Sequence, residues 1–240
     1  MDVRRISLRN LAATSVLGET GIVKDRSLSA AERAEANQLR RRAYAKDAPR
    51  FDKLMGFCER RVFGSDHRAW ACSQATGDTL EIAIGTGLNL PHYPADVHLT
   101  GLDLSPEMLA LARSRAAELG RLVELKEGDA QELPFPDSSF DTVVCTYSLC
   151  NVPDETRTVS EMKRVLKPAG HLILVDHIRS SVKPIFWFQR LVEAVTSRTE
   201  GEYMTRRPME HVRNEGFDIQ ERKRMRAGVV ERLVAVKPTE

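Results

Sequence analysis

The residues best suited to chemistry lie around a glycine turn that follows a short apolar run. Leu80 to Ile84 predicts a buried strand, and Gly85 and Gly87 come directly after it. Glycine has no Cβ, so the backbone of such a turn can approach a ligand closely. In an open parallel sheet, ligands bind at the carboxyl ends of the strands. We therefore expect a small-molecule site at this turn.

A strand-end carboxylate adds a second part of this site. Asp103 closes another apolar run, residues 97–103, and lies about 20 residues beyond the turn, where a carboxylate meets the ribose hydroxyls in dinucleotide-type folds. A nicotinamide site is the nearest rival. Its pattern needs a third glycine that packs helix against strand, whereas residues 88–90 are Leu-Asn-Leu.

Two further segments follow in order. Residues 128–135 read Gly-Asp-Ala-Gln-Glu-Leu-Pro-Phe after a third apolar run, residues 122–125, and residues 140–146 predict a fourth strand. Together with the glycine turn and Asp103, they resemble motifs I to IV of the class I S-adenosylmethionine (SAM) dependent methyltransferases. The resemblance covers about residues 40–180. A nicotinamide site would leave residues 128–135 without a role.

The resemblance implies a set of SAM-binding residues. They are Tyr44, Glu81, Ala83, Gly85, Thr86, Gly87, Asn89, Asp103, Leu104, Met108, Asp129, Ala130, Gln131 and Thr146. Glu81 and the turn at 85–87 would hold the methionine part, and Asp103 the ribose hydroxyls. The two apolar residues that follow Asp103 in this set would flank the adenine, Asp129 would meet its amino group, and Thr146 would lie near the methyl group. Ala83 stands where the family pattern has its first glycine.

The remaining pattern predicts an α/β protein. Strands separated by helical stretches of ten to fifteen residues indicate βαβ units and a parallel sheet. Residues 217–225 and 229–236 alternate in polarity and predict an antiparallel hairpin. The resemblance implies a Rossmann-like, seven-stranded, mostly parallel sheet with helices on both faces. An N-terminal helical cap over residues 1–75 would precede a methyltransferase domain over residues 76–240.

Within that cap, Ser29-Ala-Ala-Glu32 is a capping box and predicts a helix start. We expect this helix to run from Ala30 to about Ala45 and to end before Pro49, because the residue before a proline avoids the helical region. A second helix is predicted over about residues 53–72.

The catalytic candidates are His177 and Tyr44. Methyl transfer from SAM is an in-line displacement that depends mainly on alignment, and a general base helps where the acceptor must lose a proton. His177 follows the fifth predicted strand, residues 171–176, at its ligand-facing end. Tyr44 lies in a segment resembling one that closes the cofactor pocket in small-molecule methyltransferases. For both residues a purely structural role is the alternative. Second choices are Tyr147, Tyr203 and His211.

The acceptor is predicted only as a class. Residues 146–152, 175–177 and 203–207 resemble two groups: bacterial phosphatidylethanolamine N-methyltransferases with quinone C-methyltransferases, and membrane-associated alkyl-thiol S-methyltransferases. All act on apolar or amphiphilic acceptors, so we predict a small acceptor of this kind, with phosphatidylethanolamine as one alternative. Whether N, C, O or S is methylated stays open. A non-catalytic SAM-binding scaffold is the alternative of another class.

Composition limits the partners. The formal net charge of +2 argues against nucleic acid, and no apolar run approaches the roughly 20 residues of a membrane span. The four cysteines show no Cys-x-x-Cys pair, so we expect reduced thiols, no metal and a cytoplasmic location. We expect a monomer or homodimer.

Two segments leave alternatives open. Residues 184–195 predict a helix that is apolar over more than one stripe, which suits a core helix, an acceptor lid or a peripheral membrane contact. Residues 1–28 either form a flexible basic tail or fold over the active site. For the early arginines, the alternatives are a solvated tail and a contact with an anionic membrane.

Overall fold

The structure, a computed structural model, describes residues 28–199 and 201–239. Its strands are β1 (Asp78–Ile82), β2 (His98–Asp103), β3 (Glu124–Glu127), β4 (Phe140–Thr146), β5 (Leu166–His177), β6 (Asp218–Met225) and β7 (Val230–Val236). They form one seven-stranded sheet in the order β3-β2-β1-β4-β5-β7-β6. Strands β1 to β5 pair in parallel, and β7 is antiparallel to both β5 and β6. The predicted Rossmann-like sheet with an antiparallel C-terminal hairpin is confirmed.

The helices are α1 (Ala30–Cys58), α2 (His67–Cys72), α3 (Pro106–Glu118), α4 (Glu155–Val165), α5 (Lys183–Thr199) and α6 (Pro208–Asn214). The predicted capping box starts α1: Glu32 N donates to Ser29 Oγ at 3.3 Å, and Ser29 N donates to the Glu32 carboxylate at 2.8 Å. Among the described residues, no helix is both long enough and apolar enough to cross a membrane.

The prediction that the first helix ends before Pro49 is wrong, because α1 continues through it. A proline inside a helix costs roughly 3 kcal/mol through its missing N–H and a ring clash. Packing on both sides of Pro49 offsets this cost. Arg40 and Ala48 are buried before it, and Asp52 accepts a hydrogen bond from Thr86 Oγ1 at 2.6 Å after it.

The predicted second helix over residues 53–72 is also wrong. Residues 53–58 belong to α1, and a π-helical turn, Glu59–Phe63, follows. Gly64 then adopts φ +105°, a conformation that favours glycine, and the helical conformation is interrupted there before α2 begins. The strand bounds are closer: β1 begins two residues before the predicted Leu80, and β3 lies two residues beyond its predicted start.

The core lies on both faces of the sheet. Side chains alternate along a strand, so Val143 and Cys145 of β4 pack into one cluster with Met162 of α4, while Val144 packs into the other with Leu109 of α3. The central strands are thus covered on both faces, and the candidate site lies at their carboxyl edge.

Candidate active site

A cavity lies at the carboxyl ends of β1, β2 and β3. It has about 650 Å³ of empty space, part of which is open to solvent. Its walls come from α1, the glycine turn, the ends of β2 and β3, and the segment after β4. The lining residues are Asn37, Arg40, Tyr44, Phe51, Ala83, Gly85, Leu102, Asp103, Leu104, Met108, Gly128, Asp129, Ala130, Ser148, Asn151, Val152 and Pro153.

The glycine turn presents bare backbone to this cavity. Gly85 has φ +58°, and a Cβ built on it would make only ordinary contacts, 3.9 Å from the Phe51 ring and 4.0 Å from Ala83 O. Gly87 serves packing instead, because its Cβ would lie 2.7 Å from the Leu90 side chain. Ala83 lines the cavity at φ +54°, where a Cβ is strained by roughly 1–2 kcal/mol. The alanine is therefore tolerated at this position with some backbone strain.

Asp103 holds the turn and keeps capacity for a ligand. One carboxylate oxygen accepts from Gly85 N at 2.7 Å, and the other accepts from Ser105 N at 2.9 Å. Each oxygen has a second lone pair. Burial raises the pKa of Asp103 to about 6, although the backbone N–H groups of Ser105, Gly85 and Leu104 oppose the shift. The side chain is therefore mostly ionised at neutral pH and can accept two more hydrogen bonds.

The carboxylate of Asp129, in contrast, already accepts four hydrogen bonds. Oδ2 accepts from Asn37 Nδ2 at 2.7 Å and from Gln131 Nε2 at 3.2 Å. Oδ1 accepts from Gln131 N at 2.9 Å and from Gln131 Nε2 at 3.0 Å. These four bonds fill the acceptor capacity of a carboxylate. In this arrangement Asp129 joins α1 to the loop after β3.

Helix α1 is also bonded to the glycine turn. Asp52 accepts from Thr86 Oγ1 at 2.6 Å, and Arg115 of α3 forms an ion pair with the same carboxylate. Arg115 Nη1 also donates to Thr86 O at 3.0 Å. Asn37, Tyr44 and Phe51 recur every seven residues and therefore share one face of α1, which forms the outer wall of the cavity.

A buried polar network lies beneath the turn. Asn89 Nδ2 donates to Glu81 Oε1 at 2.8 Å and to Thr146 Oγ1 at 3.0 Å. Arg68 Nη1 donates to Asn89 Oδ1 at 2.9 Å and to Thr146 Oγ1 at 3.0 Å. Burial raises the pKa of Glu81 to about 7; the nearby Tyr93 hydroxyl opposes this without reaching hydrogen-bond geometry. The network fixes the strand ends on which the turn rests.

His177 is buried at the end of β5 and paired with Glu202. Its Nε2 lies 3.1 Å from Glu202 Oε1, while Nδ1 has no hydrogen-bond partner among the described residues. Burial lowers the pKa of His177, but the hydrogen bond to Glu202 and the charges of Asp176 and Glu202 outweigh it, so this pKa lies above its usual value. The ring also stacks on Phe63, with centroids 5.7 Å apart.

Tyr44 lies between the cavity and the His177–Glu202 pair, since it lines the cavity and has Glu202 close by. Its ring lines the cavity, and burial, with Cys150 and Glu202 close by, raises the pKa of its hydroxyl well above the usual range. The hydroxyl therefore stays protonated at neutral pH, which suits a hydrogen-bond donor better than a base. Arg40 adds a second connection, since it donates to Asn151 O at the cavity and to Gly201 O, beside Glu202, at 2.8 Å.

The fold also brings together three side chains that could hold a metal ion. The ligand atoms of Cys150, His177 and Glu202 lie within 4.8 Å of one another. A metal needs the thiolate, whereas burial raises the pKa of Cys150 well above its usual value and favours the thiol. The contacts thus favour a histidine–carboxylate ion pair beside a neutral thiol, and the absence of a metal stays a prediction.

The structure separates the predicted site residues into three groups. Around the main cavity lie Tyr44, Ala83, Gly85, Asp103, Leu104, Met108, Asp129 and Ala130. A smaller adjoining cavity is lined by Thr86 and Thr146, together with Tyr147. The residues that line neither are Glu81, Gly87, Asn89, Gln131 and His177. Two second choices lie elsewhere: the Tyr203 ring packs on Arg206, and His211 of α6 contacts Thr156 of α4.

Sequence reasoning missed the lining residues of two segments. Asn37, Arg40 and Phe51 of α1 were not proposed, and neither were Ser148, Asn151, Val152 and Pro153 after β4. The seven-residue spacing of Asn37, Tyr44 and Phe51 was an available signal for the first group, but it was hidden by the assumption that Pro49 ends the helix.

Comparison with known proteins agrees with this geometry. Residues 80–174 match the family described as Methyltransferase domain. The chain is 45% identical over 111 residues to a phosphatidylethanolamine N-methyltransferase of Cereibacter sphaeroides, covering 45% of this chain and 55% of that protein. It is 34% identical over 151 residues to a demethylmenaquinone methyltransferase of Deinococcus radiodurans, covering 60% of this chain and 63% of that protein.

These matches span less than two thirds of the length of either relative. Among solved structures, a SAM-dependent methyltransferase of Thermotoga maritima superposes with a TM-score of 0.63 at 21% identity, covering 81% of this chain and 98% of that one. Residues 80–174 therefore resemble the methyltransferase domain family, and the described part of the chain has the fold of this solved methyltransferase.

Proposed function

We propose that this protein is a SAM-dependent methyltransferase that transfers a methyl group by in-line displacement to a small apolar or amphiphilic acceptor. The observation that carries the proposal is the main cavity, where parts of the first three predicted motifs meet on one wall and α1 closes the other. When bound there, SAM supplies an activated methyl group on a positively charged sulfur.

The residues present fit this cofactor. The two free lone pairs of Asp103 suit a pair of ribose hydroxyls, and the bare backbone at Gly85 permits close approach of the methionine part. The aromatic rings of Tyr44 and Phe51, in edge contact at 6.3 Å, form a wall suited to a cation. The adenine amino group would reach Asp129 only by displacing one of its four present bonds, and Asn37 is the partner from outside that loop.

The acceptor side is assigned to the segments that carry His177 and Glu202. Where the acceptor must lose a proton, the His177–Glu202 pair would take it, with Tyr44 at the cavity wall orienting the acceptor. An acceptor that arrives ionised would need no base. The names of the two relatives support a lipid-soluble acceptor, since one is a phosphatidylethanolamine N-methyltransferase and the other a demethylmenaquinone methyltransferase.

A transfer screen with methyl-labelled SAM tests the proposal. Acceptors would include thiols, amines, phenols, quinols and phosphatidylethanolamine, and label is expected in a lipid-soluble product. Asp103→Ala should abolish most transfer, whereas Glu118→Ala, a change on the surface of α3, should leave it intact. Binding of SAM with no transfer to any acceptor would favour the non-catalytic scaffold, and no binding at all would overturn both.

Phosphatidylethanolamine is the specific second candidate, because the relative that acts on it by name has the higher identity of the two, 45% over 111 residues. It predicts label in mono-, di- and trimethylated headgroups. Label confined to quinols or thiols would exclude it.

A further inference from the structure

The exposure pattern of α5 is the reverse of that of a helix packed on a protein core. Its outward face carries Trp187, Phe188, Leu191 and Val195, which are 69%, 66%, 69% and 62% exposed. Its inward face carries Gln189 and Glu193, which are 4% and 9% exposed. Large apolar side chains that share one exposed helix face mark a surface that another apolar phase covers.

Hydrogen bonds fix this orientation. Gln189 Nε2 donates to Ile178 O at 2.9 Å, and its Oε1 accepts from Ser180 N at 2.8 Å. Glu193 Oε2 accepts from Thr205 N at 2.8 Å and from Thr205 Oγ1 at 2.7 Å. Rotating α5 to bury Trp187 would leave these polar groups without partners, so the apolar face stays outward.

The charges beside this face have one sign. The exposed charged residues of α5 are Lys183, Arg190 and Arg198, while its one acid, Glu193, faces inward. Arg190 Nη1 lies 3.3 Å from Glu193 Oε1, so Lys183 and Arg198 are the cations of α5 outside this ion pair. Arg179, just before the helix, lies over the Phe186 ring at 4.2 Å. An apolar face with an aromatic residue and flanking cations is the pattern of a helix lying in the surface of an anionic membrane.

We propose that α5 lies in the headgroup region of an anionic phospholipid membrane, with Trp187, Phe188, Leu191 and Val195 toward the acyl chains. A second copy of this chain suits the face less well. In a two-fold interface, the cations of one α5 would face those of the other, which is repulsive.

The same helix bears on the acceptor side of the proposed function. Thr196 Oγ1 donates to Glu202 O at 3.1 Å, and Glu202 pairs with His177. Membrane docking would thus place the segment assigned to the acceptor next to the phase where an amphiphilic acceptor dissolves. This consequence rests on the proposed function, whereas the docking itself does not.

Flotation of the purified full chain with vesicles tests the docking. Vesicles of phosphatidylglycerol and phosphatidylcholine in about equal parts should carry the protein, and phosphatidylcholine alone should carry far less. Leu191→Glu should weaken binding about tenfold or more, the scale of removing one large apolar side chain from a buried site. Leu122→Glu, at a leucine that is 92% exposed in the β3 region, is the matched control and should bind as wild type does.

Fluorescence locates the contact. The emission of Trp187 should shift to the blue when anionic vesicles are added, and Trp187→Phe should remove that shift while flotation persists.

Wild-type protein that does not associate with anionic vesicles would overturn the proposal, and so would Leu191→Glu protein that floats like the control. A concentration-dependent dimer that Leu191→Glu dissociates would assign the face to a second copy instead. Binding of S-adenosylhomocysteine by each variant, measured separately, shows that it is folded and tests the cofactor site independently.

Discussion

Asp103 is the residue on which cofactor affinity should depend most. Its carboxylate both holds Gly85 N and keeps lone pairs for ribose hydroxyls. Asp103→Ala should weaken S-adenosylhomocysteine binding by about 1–3 kcal/mol, roughly 5- to 150-fold, the scale of losing hydrogen bonds to a charged group. Isothermal titration would measure this, and an unchanged dissociation constant would contradict the ribose role.

The same carboxyl group should make binding depend on pH. Burial raises the pKa of Asp103 to about 6, so the side chain protonates as the pH falls through 6 and loses acceptor capacity. We expect the affinity for S-adenosylhomocysteine to be constant above this pH and to fall below it, by up to about tenfold per pH unit. Asp103→Asn should remove this step. A wild-type profile that is flat from pH 7 to pH 5 would disagree with this account.

Glu202 should set the pH at which the proposed base becomes active. Because Glu202 helps hold the pKa of His177 above its usual value, kcat should rise as the pH rises through that raised pKa. Glu202→Gln should move the midpoint to lower pH and leave the affinity for SAM unchanged. The ion pair stabilises the fold below the unfolded pKa of the histidine, and this stabilisation is lost as the pH rises through the folded pKa. A kcat profile that Glu202→Gln does not move would exclude the pair as the base.

At the scale of elements, α1 should control access to the cofactor. Asp52→Ala removes the carboxylate that bonds to Thr86 and Arg115, and so loosens α1 from the glycine turn. Because Asp52 is exposed, we expect a modest effect, about 0.5–1 kcal/mol or two- to fivefold in the dissociation constant of S-adenosylhomocysteine. The exposed neighbour Lys53, changed to alanine, is the control. Equal constants for both variants would show that this contact does not hold the cavity closed.

The elements also show what a sequence can predict. The strands and the glycine turn were found because an apolar run that ends in glycine or aspartate is a local signal, and β4 was predicted at its observed bounds. The course of α1 was not found. A proline usually ends a helix, and the contacts that carry α1 past Pro49 come from residues far along the chain. Ala83 has a positive φ, and β1 ends before it rather than at the predicted Ile84. An alanine gives no sequence signal for such a conformation.

At the scale of the whole molecule, the topology explains which site residues could be predicted from the sequence and which could not. Residues on strand ends, such as Asp103 and Asp129, reach one edge because parallel strands bring their carboxyl ends together. Asn37 and Asn151 reach the same cavity through tertiary packing of α1 and of the segment after β4. The pairing of His177 with Glu202 likewise depends on how α5 and the segment after it fold back onto β5.

The domain division at residue 75 stays a prediction, as do the cofactor contacts and the oligomeric state. Residues 1–27, which include most of the predicted basic tail, lie outside the described residues.

The predicted absence of a metal ion can be tested directly. If Cys150, His177 and Glu202 held a metal ion, purified protein would contain it in stoichiometric amount, and a chelator would lower the melting temperature. We expect neither.

A crystal structure with S-adenosylhomocysteine would show directly whether the main cavity is the cofactor site. We expect the nucleoside in this cavity, with its ribose hydroxyls within hydrogen-bond distance of the Asp103 carboxylate and its adenine against Leu104 and Met108. A ligand bound elsewhere, or a cavity that stays empty at saturating ligand, would contradict it.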